Sequence, residues 1–160
     1  LTEFSHLDSH GEARMVDVSS KSPTHRIARA QAHIVLRKET LEAIFDGAIA
    51  KGDVLSVARV AGIQAAKRTS ELIPLCHPLA LSKVAVEFAR IDERTLRVEA
   101  ECKVVGATGV EMEALTAASI AALTVYDMCK SADRGMRIES LRLVYKSGGK
   151  SGTWDAGDER

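Results

Sequence analysis

Thr108-Gly-Val-Glu111-Met112-Glu113-Ala-Leu-Thr-Ala-Ala-Ser-Ile-Ala-Ala-Leu-Thr-Val-Tyr126-Asp127-Met-Cys-Lys130-Ser-Ala-Asp-Arg134 is the stretch whose reading decides the fold. Its middle, Ala114 to Tyr126, runs thirteen residues without a charge and is rich in Ala, Leu and Ile. That is about three and a half turns of strong helix formers. The segment is apolar on every side, which predicts a helix buried on every side. Ionisable groups stand at both tips, Glu111 and Glu113 at the start, Asp127 and Lys130 at the end. Thr108-x-x-Glu111 fits a reciprocal capping box, so spacing alone leaves Glu111 open between a cap and a site residue. Glu111 and Glu113 are two apart and are expected on opposite sides of a regular helix. Asp127 and Lys130 share a face, where an exposed ion pair of little energetic worth is the ordinary reading. About 24 Å of helix separates Glu111 from Asp127 at 1.5 Å per residue. If both tips serve one reaction centre, they come from different subunits.

Working outward, the hairpin before this helix is legible from alternation. Val84, Val86 and Phe88 lie on one side of a strand over Lys83–Ala89. Leu96, Val98, Ala100, Cys102 and Val104 alternate with Arg97, Glu99, Glu101 and Lys103, and Asp92-Glu93-Arg94 turns between the two. A first strand is predicted over Arg26–Leu36, where Ala28, Ala30, Ala32 and Ile34 oppose Arg29, Gln31 and His33. A short helix over Lys38–Asp46 stops at Gly47, and Asp53 caps a second helix that runs to Lys67. After the buried helix, Arg137–Lys146 is read as a last strand through Leu141, Leu143 and Tyr145. Strand, helices, strand, strand, helix, strand is the split βαβ order of an α+β, ferredoxin-like sandwich, an antiparallel sheet packed against helices. Residues 1–25 read as an N-terminal arm, 26–152 as a single catalytic domain and 153–160 as a flexible tail.

Composition bounds the function. Hydrophobic residues make up 46% but aromatics only 4%, so the core is aliphatic and rich in Ala. Lys plus Arg equals Asp plus Glu at 22 each, which gives no electrostatic reason to expect nucleic acid or membrane as partner. Cys76, Cys102 and Cys129 are odd in number and widely spaced, neither a disulfide framework nor a zinc site, and suit a reducing cytoplasm. No signal peptide or spanning segment is expected from the sequence.

Several residues suggest chemistry. Lys51 precedes a helix start on a glycine-hinged turn, where a cation opposes the dipole but can join the free N–H groups in holding an anion; a solvated lysine is the ordinary alternative. His77 sits in Leu72-Ile-Pro74-Leu75-Cys76-His77-Pro78-Leu79, stiffened by two prolines. It is a better functional candidate than a histidine on a helix face, and with no ligand pair at metal spacing it is a poor zinc ligand. Asp17, between Val16 and Val18, is a possible strand-edge carboxylate. Lys146-Ser-Gly-Gly-Lys150-Ser-Gly152 resembles a Walker loop but has Val144 where the first glycine belongs and too little chain beyond for the helix. It remains a doubly cationic, glycine-rich strand end able to wrap phosphates.

Leu72–Leu79, Thr108–Thr116, Tyr126–Lys130 and Lys146–Gly152, with Met15–Val18 and Ala61–Thr69, together resemble one family over roughly residues 2 to 152: the cyclic pyranopterin monophosphate synthases of molybdenum-cofactor biosynthesis. The resemblance implies a lyase that rearranges a cyclised dihydro-GTP, supplied by a radical GTP cyclase, into a pyranopterin with a cyclic phosphate, releasing pyrophosphate. It implies no cofactor. By the same resemblance Asp127 is an acid/base, with Lys130 and Lys51 as further catalytic groups. Leu75, Cys76, His77, Glu111, Met112 and Glu113 would bind the purine or pterin portion or act on it, and Lys67, Lys146 and Lys150 would meet phosphates. It also implies a homo-hexamer, a trimer of dimers with sites at the dimer interface. Two other readings compete. A non-catalytic nucleotide-binding module would bind guanine nucleotides without releasing pyrophosphate. An RNA-binding sheet is disfavoured by the scarcity of aromatics and the zero net charge.

Overall fold

The sheet is built from the alternating segments, and its order follows from how they connect. In a computed structural model, residues 6–157 are described, so the outermost parts of the arm and tail lie outside the described residues. The elements are β1 (Thr24–Val35), α1 (Lys38–Phe45), α2 (Val54–Lys67), the one-turn α3 (Thr69–Leu72), β2 (Lys83–Arg90), β3 (Thr95–Gly106), α4 (Glu111–Cys129), β4 (Arg137–Ser147) and β5 (Trp154–Asp155). The sheet order is β2-β3-β1-β4-β5, with every neighbouring pair antiparallel. This is the ferredoxin-like arrangement, with Trp154–Asp155 added on the β4 edge.

The inward face of β1 is Ala28, Ala30, Ala32 and Ile34; that of β3 is Leu96, Val98, Ala100, Cys102 and Val104, all buried. α4 lies over β1, β3 and β4 and packs along its flank against α2. Ala114, Ala117, Ala118, Ala121, Ala122 and Val125 form its buried stripe. Small residues allow that closeness. A Cβ on Gly62 of α2 would stand only 3.0 Å from the Ala117 carbonyl oxygen and 3.2 Å from the Ala121 Cβ. The same helix corrects the expectation of burial on every side, for Leu123 is 53% exposed. A two-layer sandwich covers a helix from below and beside but not above. Val57 and Val60 of α2 are exposed as well.

β4 departs from strict alternation. Its partners on β1 shift register between Arg29 and Ala30 and again between Gln31 and His33. Leu143 pairs with inward Ala30, Tyr145 with outward Arg29 and Lys146 with inward Ala28, so Val144 is an extra residue. Leu143 therefore joins the core while Leu141 is exposed and Tyr145 turns out beneath the Arg29 guanidinium, 4.7 Å from its ring centroid. Ser140, at φ 52°, falls within the second irregularity. The bulge at Val144 also has a chemical consequence: it turns Lys146 from the outer face to the face that carries the helices.

Candidate active site

Two clusters form, one at each tip of α4. At the N-terminal tip, the Thr108 capping box is not made. The N-cap position is Val110, without a side-chain cap hydrogen bond, and the Glu111 carboxylate instead accepts from the Lys146 ammonium at 2.7 Å. Gly109 leaves room for that pairing, since a Cβ there would meet the Glu111 carboxylate in its present position. Glu111 and Glu113 border one cavity of about 360 Å³ together with Leu75, Cys76, His77 and Met112. Two residues apart on the helix, the two glutamates nevertheless line the same hollow.

Glu113 is only 4% exposed. Burial, reinforced by the charge of Glu111, pushes its carboxyl above the usual range. Burial and then the charge of Glu113 likewise raise the Cys76 thiol. Inside the sheet, burial followed by the charges of Glu113 and Glu101 carries Cys102 up to about 12, leaving it an inert core thiol. His77 Nε2 stands 2.8 Å from the Val16 carbonyl oxygen. A carbonyl only accepts, so Nε2 carries the hydrogen, and Nδ1 is left for other use.

A raised carboxyl pKa means that the folded state prefers the proton. Stability attributable to protonated Glu113 is present below the ordinary carboxylate pKa and lost as pH rises through the folded value. Glu113→Gln, which does not titrate, should therefore melt several degrees above the parent at pH 7–8, with the two curves converging near pH 4. Thermal unfolding across that pH range is the check, and equal melting temperatures at pH 8 would refute it.

A second cavity, of about 960 Å³, continues from the first through Lys21, Thr108, Gly109 and Glu111. It carries Arg26, Lys146 and Lys150, and the glycine turn after β4 closes it. Gly148 and Gly149 adopt φ of 98° and 73°, and Cβ atoms there would strike the His25 carbonyl oxygen and the Arg26 guanidinium. Arg26 in turn donates to the carbonyls of Gly106 and Ala107, tying the loop before α4 to β1. Cations gathered in one hollow suit phosphate.

At the C-terminal tip, the Lys130 ammonium lies 2.6 Å from Asp127 Oδ1. Lys51 lies 3.6 Å from Oδ2 and donates to the Asp127 carbonyl at 3.0 Å. Lys51 reaches there because the start of α2 lies beside the end of α4. The cation that opposed the dipole of its own helix thus serves the orphan carbonyls at the end of α4. The hydrogen bond from Lys130, then its charge and that of Lys51, hold the Asp127 carboxyl below its usual range, so it is ionised at neutral pH. Lys51 and Lys130 also line a cavity of about 390 Å³ with Tyr126, Ser131 and Arg134. The Tyr126 hydroxyl, donating to the Arg134 carbonyl, braces the loop.

Of the site residues expected from sequence, Lys67 and Asp127 border none of these three cavities, Asp127 meeting the third only through its partners Lys51 and Lys130. Asp17 lies in no strand; its carboxylate accepts from the Ser19 amide and hydroxyl in a local turn. His33 lies on the outer sheet face, its pKa lowered by partial burial and then by Arg97 and Arg142. Lys21, Arg26 and Arg134 were not anticipated, because a lone cation in a polar context carries no local signal. Among the described residues, no three His, Cys, Asp or Glu side chains are grouped to hold a metal ion, and no helix is long and apolar enough to cross a membrane.

Fold and site together define a ferredoxin-like α+β enzyme, with an apolar, carboxylate-bearing pocket opening onto an anion hollow and a Lys–Asp–Lys cluster at the far end of its central helix. The chain belongs to the MoaC family, whose profile matches residues 15–149. It is 58% identical over 160 residues, 99% of this chain and 96% of the relative, to a protein of Thermomicrobium roseum named cyclic pyranopterin monophosphate synthase.

Proposed function

We propose that this chain catalyses the cyclic pyranopterin monophosphate synthase reaction of molybdenum-cofactor biosynthesis. It converts (8S)-3',8-cyclo-7,8-dihydroguanosine 5'-triphosphate to cyclic pyranopterin monophosphate and releases pyrophosphate. The observation that carries this reading is the 58% identity to the Thermomicrobium roseum synthase across nearly the whole of both chains. The chemistry of the pockets supports it. The purine portion belongs in the pocket of Leu75, Cys76, His77, Met112 and Glu113, with Glu111 at its mouth. The triphosphate belongs in the neighbouring hollow on Lys146 and Lys150; for Lys67 the support is the family resemblance alone.

Rearranging a purine into a pterin requires protons to be removed and delivered in turn, work for a positioned carboxylate between ammonium groups. We assign that role to Asp127, with Lys130 and Lys51 as its catalytic partners. Helix length separates Asp127 from the substrate pocket of its own chain by about 24 Å, so the site is completed by Asp127 of the partner subunit. Exposed Val57, Val60 and Leu123 on α2 and α4 are the kind of apolar surface a second copy would cover. The assembly is a hexamer, a trimer of dimers, working in the cytoplasm downstream of a radical GTP cyclase. Its catalytic domain spans residues 26–152, with 1–25 as an arm and 153–160 as a tail. Incubating the protein with the cyclised triphosphate should yield pyrophosphate and a product of pyranopterin mass. Tight binding without pyrophosphate release would instead favour a nucleotide-binding module.

A further inference from the structure

Of the lysines and arginines lining the two joined cavities, Lys21 alone borders both. Its backbone is held from several directions. His77 bonds the Val16 carbonyl, Asp17 accepts from the Ser19 amide at 2.9 Å and its hydroxyl at 2.6 Å, and the Lys21 amide donates to the Val18 carbonyl at 3.0 Å. The ammonium itself makes no ion pair or hydrogen bond among the described residues. Lys146, the neighbouring cation, is by contrast already matched to Glu111. A charge that is anchored at its root, unspent at its tip and sited between a base pocket and a phosphate hollow has one natural ligand. It is the phosphoryl group that joins the two halves of a nucleotide.

Resting on the reading above, we propose that Lys21 is a catalytic residue for the cyclisation step, its ammonium meeting the α-phosphoryl oxygens of the substrate. In that step a hydroxyl oxygen of the sugar-derived portion bonds to the α-phosphorus, and its proton passes to solvent. The bond from the α-phosphorus to the oxygen bridging it to the β-phosphate breaks, and the electron pair leaves on pyrophosphate. Negative charge accumulates on the non-bridging and departing oxygens as this happens, and a fixed cation there stabilises the transition state more than the ground state. A lysine suits the position as a compact point charge that can follow the moving oxygens.

The test is steady-state turnover of wild type, Lys21→Met and Lys21→Arg, with pyrophosphate as a product inhibitor in each. Lys21→Met should lower kcat about 100-fold with little change in KM, and Lys21→Arg should recover most of that loss. Pyrophosphate inhibition, set by Lys146 and Lys150, should be unchanged in both variants. Wild-type kcat in Lys21→Met, or a loss confined to KM, overturns the role of Lys21 and leaves the parent reading standing. A wild-type protein that releases no pyrophosphate from the cyclised substrate overturns both. Lys21 is exposed and outside every strand and helix, so unaltered circular dichroism is expected, and a misfolded Lys21→Met would contradict the picture of a free side chain.

Discussion

Asp127→Ala is expected to lower turnover of the cyclised triphosphate about 1,000-fold while leaving fold and assembly intact. The carboxylate is exposed, and its side-chain partners, Lys130 and Lys51, are exposed too. Nothing in the core depends on it. What disappears is a carboxylate that two ammonium groups hold ionised, and with it the base we assign to the rearrangement. Asp127→Asn should fail almost as badly, since it keeps the shape and loses the basic oxygen. Lys51→Ala should be comparably inactive, because Lys51 both flanks the carboxylate and bonds the last-turn carbonyl that orients it. Pyrophosphate release, a thermal melt and native mass measured on the same preparations separate chemistry from folding. Wild-type turnover in Asp127→Ala would remove the acid–base assignment outright.

Much of this architecture was legible in the chain, for identifiable physical reasons. The uncharged run before Asp127 has no stable alternative to a buried helix, and the alternation of β1 and β3 fixes which face meets it. β4 resisted because its irregularities fall at Ser140 and Val144 without a glycine or proline to mark them. Strict alternation would therefore place Leu141 and Tyr145 inward beside Leu143, whereas Leu141 is exposed and Tyr145 turns out. The Thr108 cap failed for a different reason: a capping box competes with any stronger partner for its glutamate, and here that partner is Lys146, delivered from β4 by the bulge. Among site residues, His77 and the Asp127–Lys130 pair were visible as local patterns. The reach of Lys51 to the end of α4 was not, because it depends on how α2 lies along α4, a tertiary fact absent from any window around residue 51.

The widest consequence of the central helix is that two dead variants should revive each other. Asp127 stands at one tip and Glu111, beside Lys146, at the other, too far apart along a rigid helix to serve one small molecule within a single chain. If each site takes the carboxylate–lysine cluster from one copy and the pocket from its neighbour, an Asp127→Ala chain still offers a whole pocket, and a Lys146→Ala chain still offers a whole acid–base cluster. In a two-fold interface the good halves of a mixed dimer meet at one site and the bad halves at the other. Random mixing of equal amounts, after dissociation and reassembly, should thus restore about one quarter of wild-type sites. Either variant alone should stay inactive, and the double variant Asp127→Ala/Lys146→Ala mixed with wild type should give no gain beyond the intact sites. Mixing that restores nothing, although native mass shows mixed assemblies, would mean that each chain completes its own site. The distance along α4 would then have to be bridged by motion that a packed helix between α2 and the sheet does not permit.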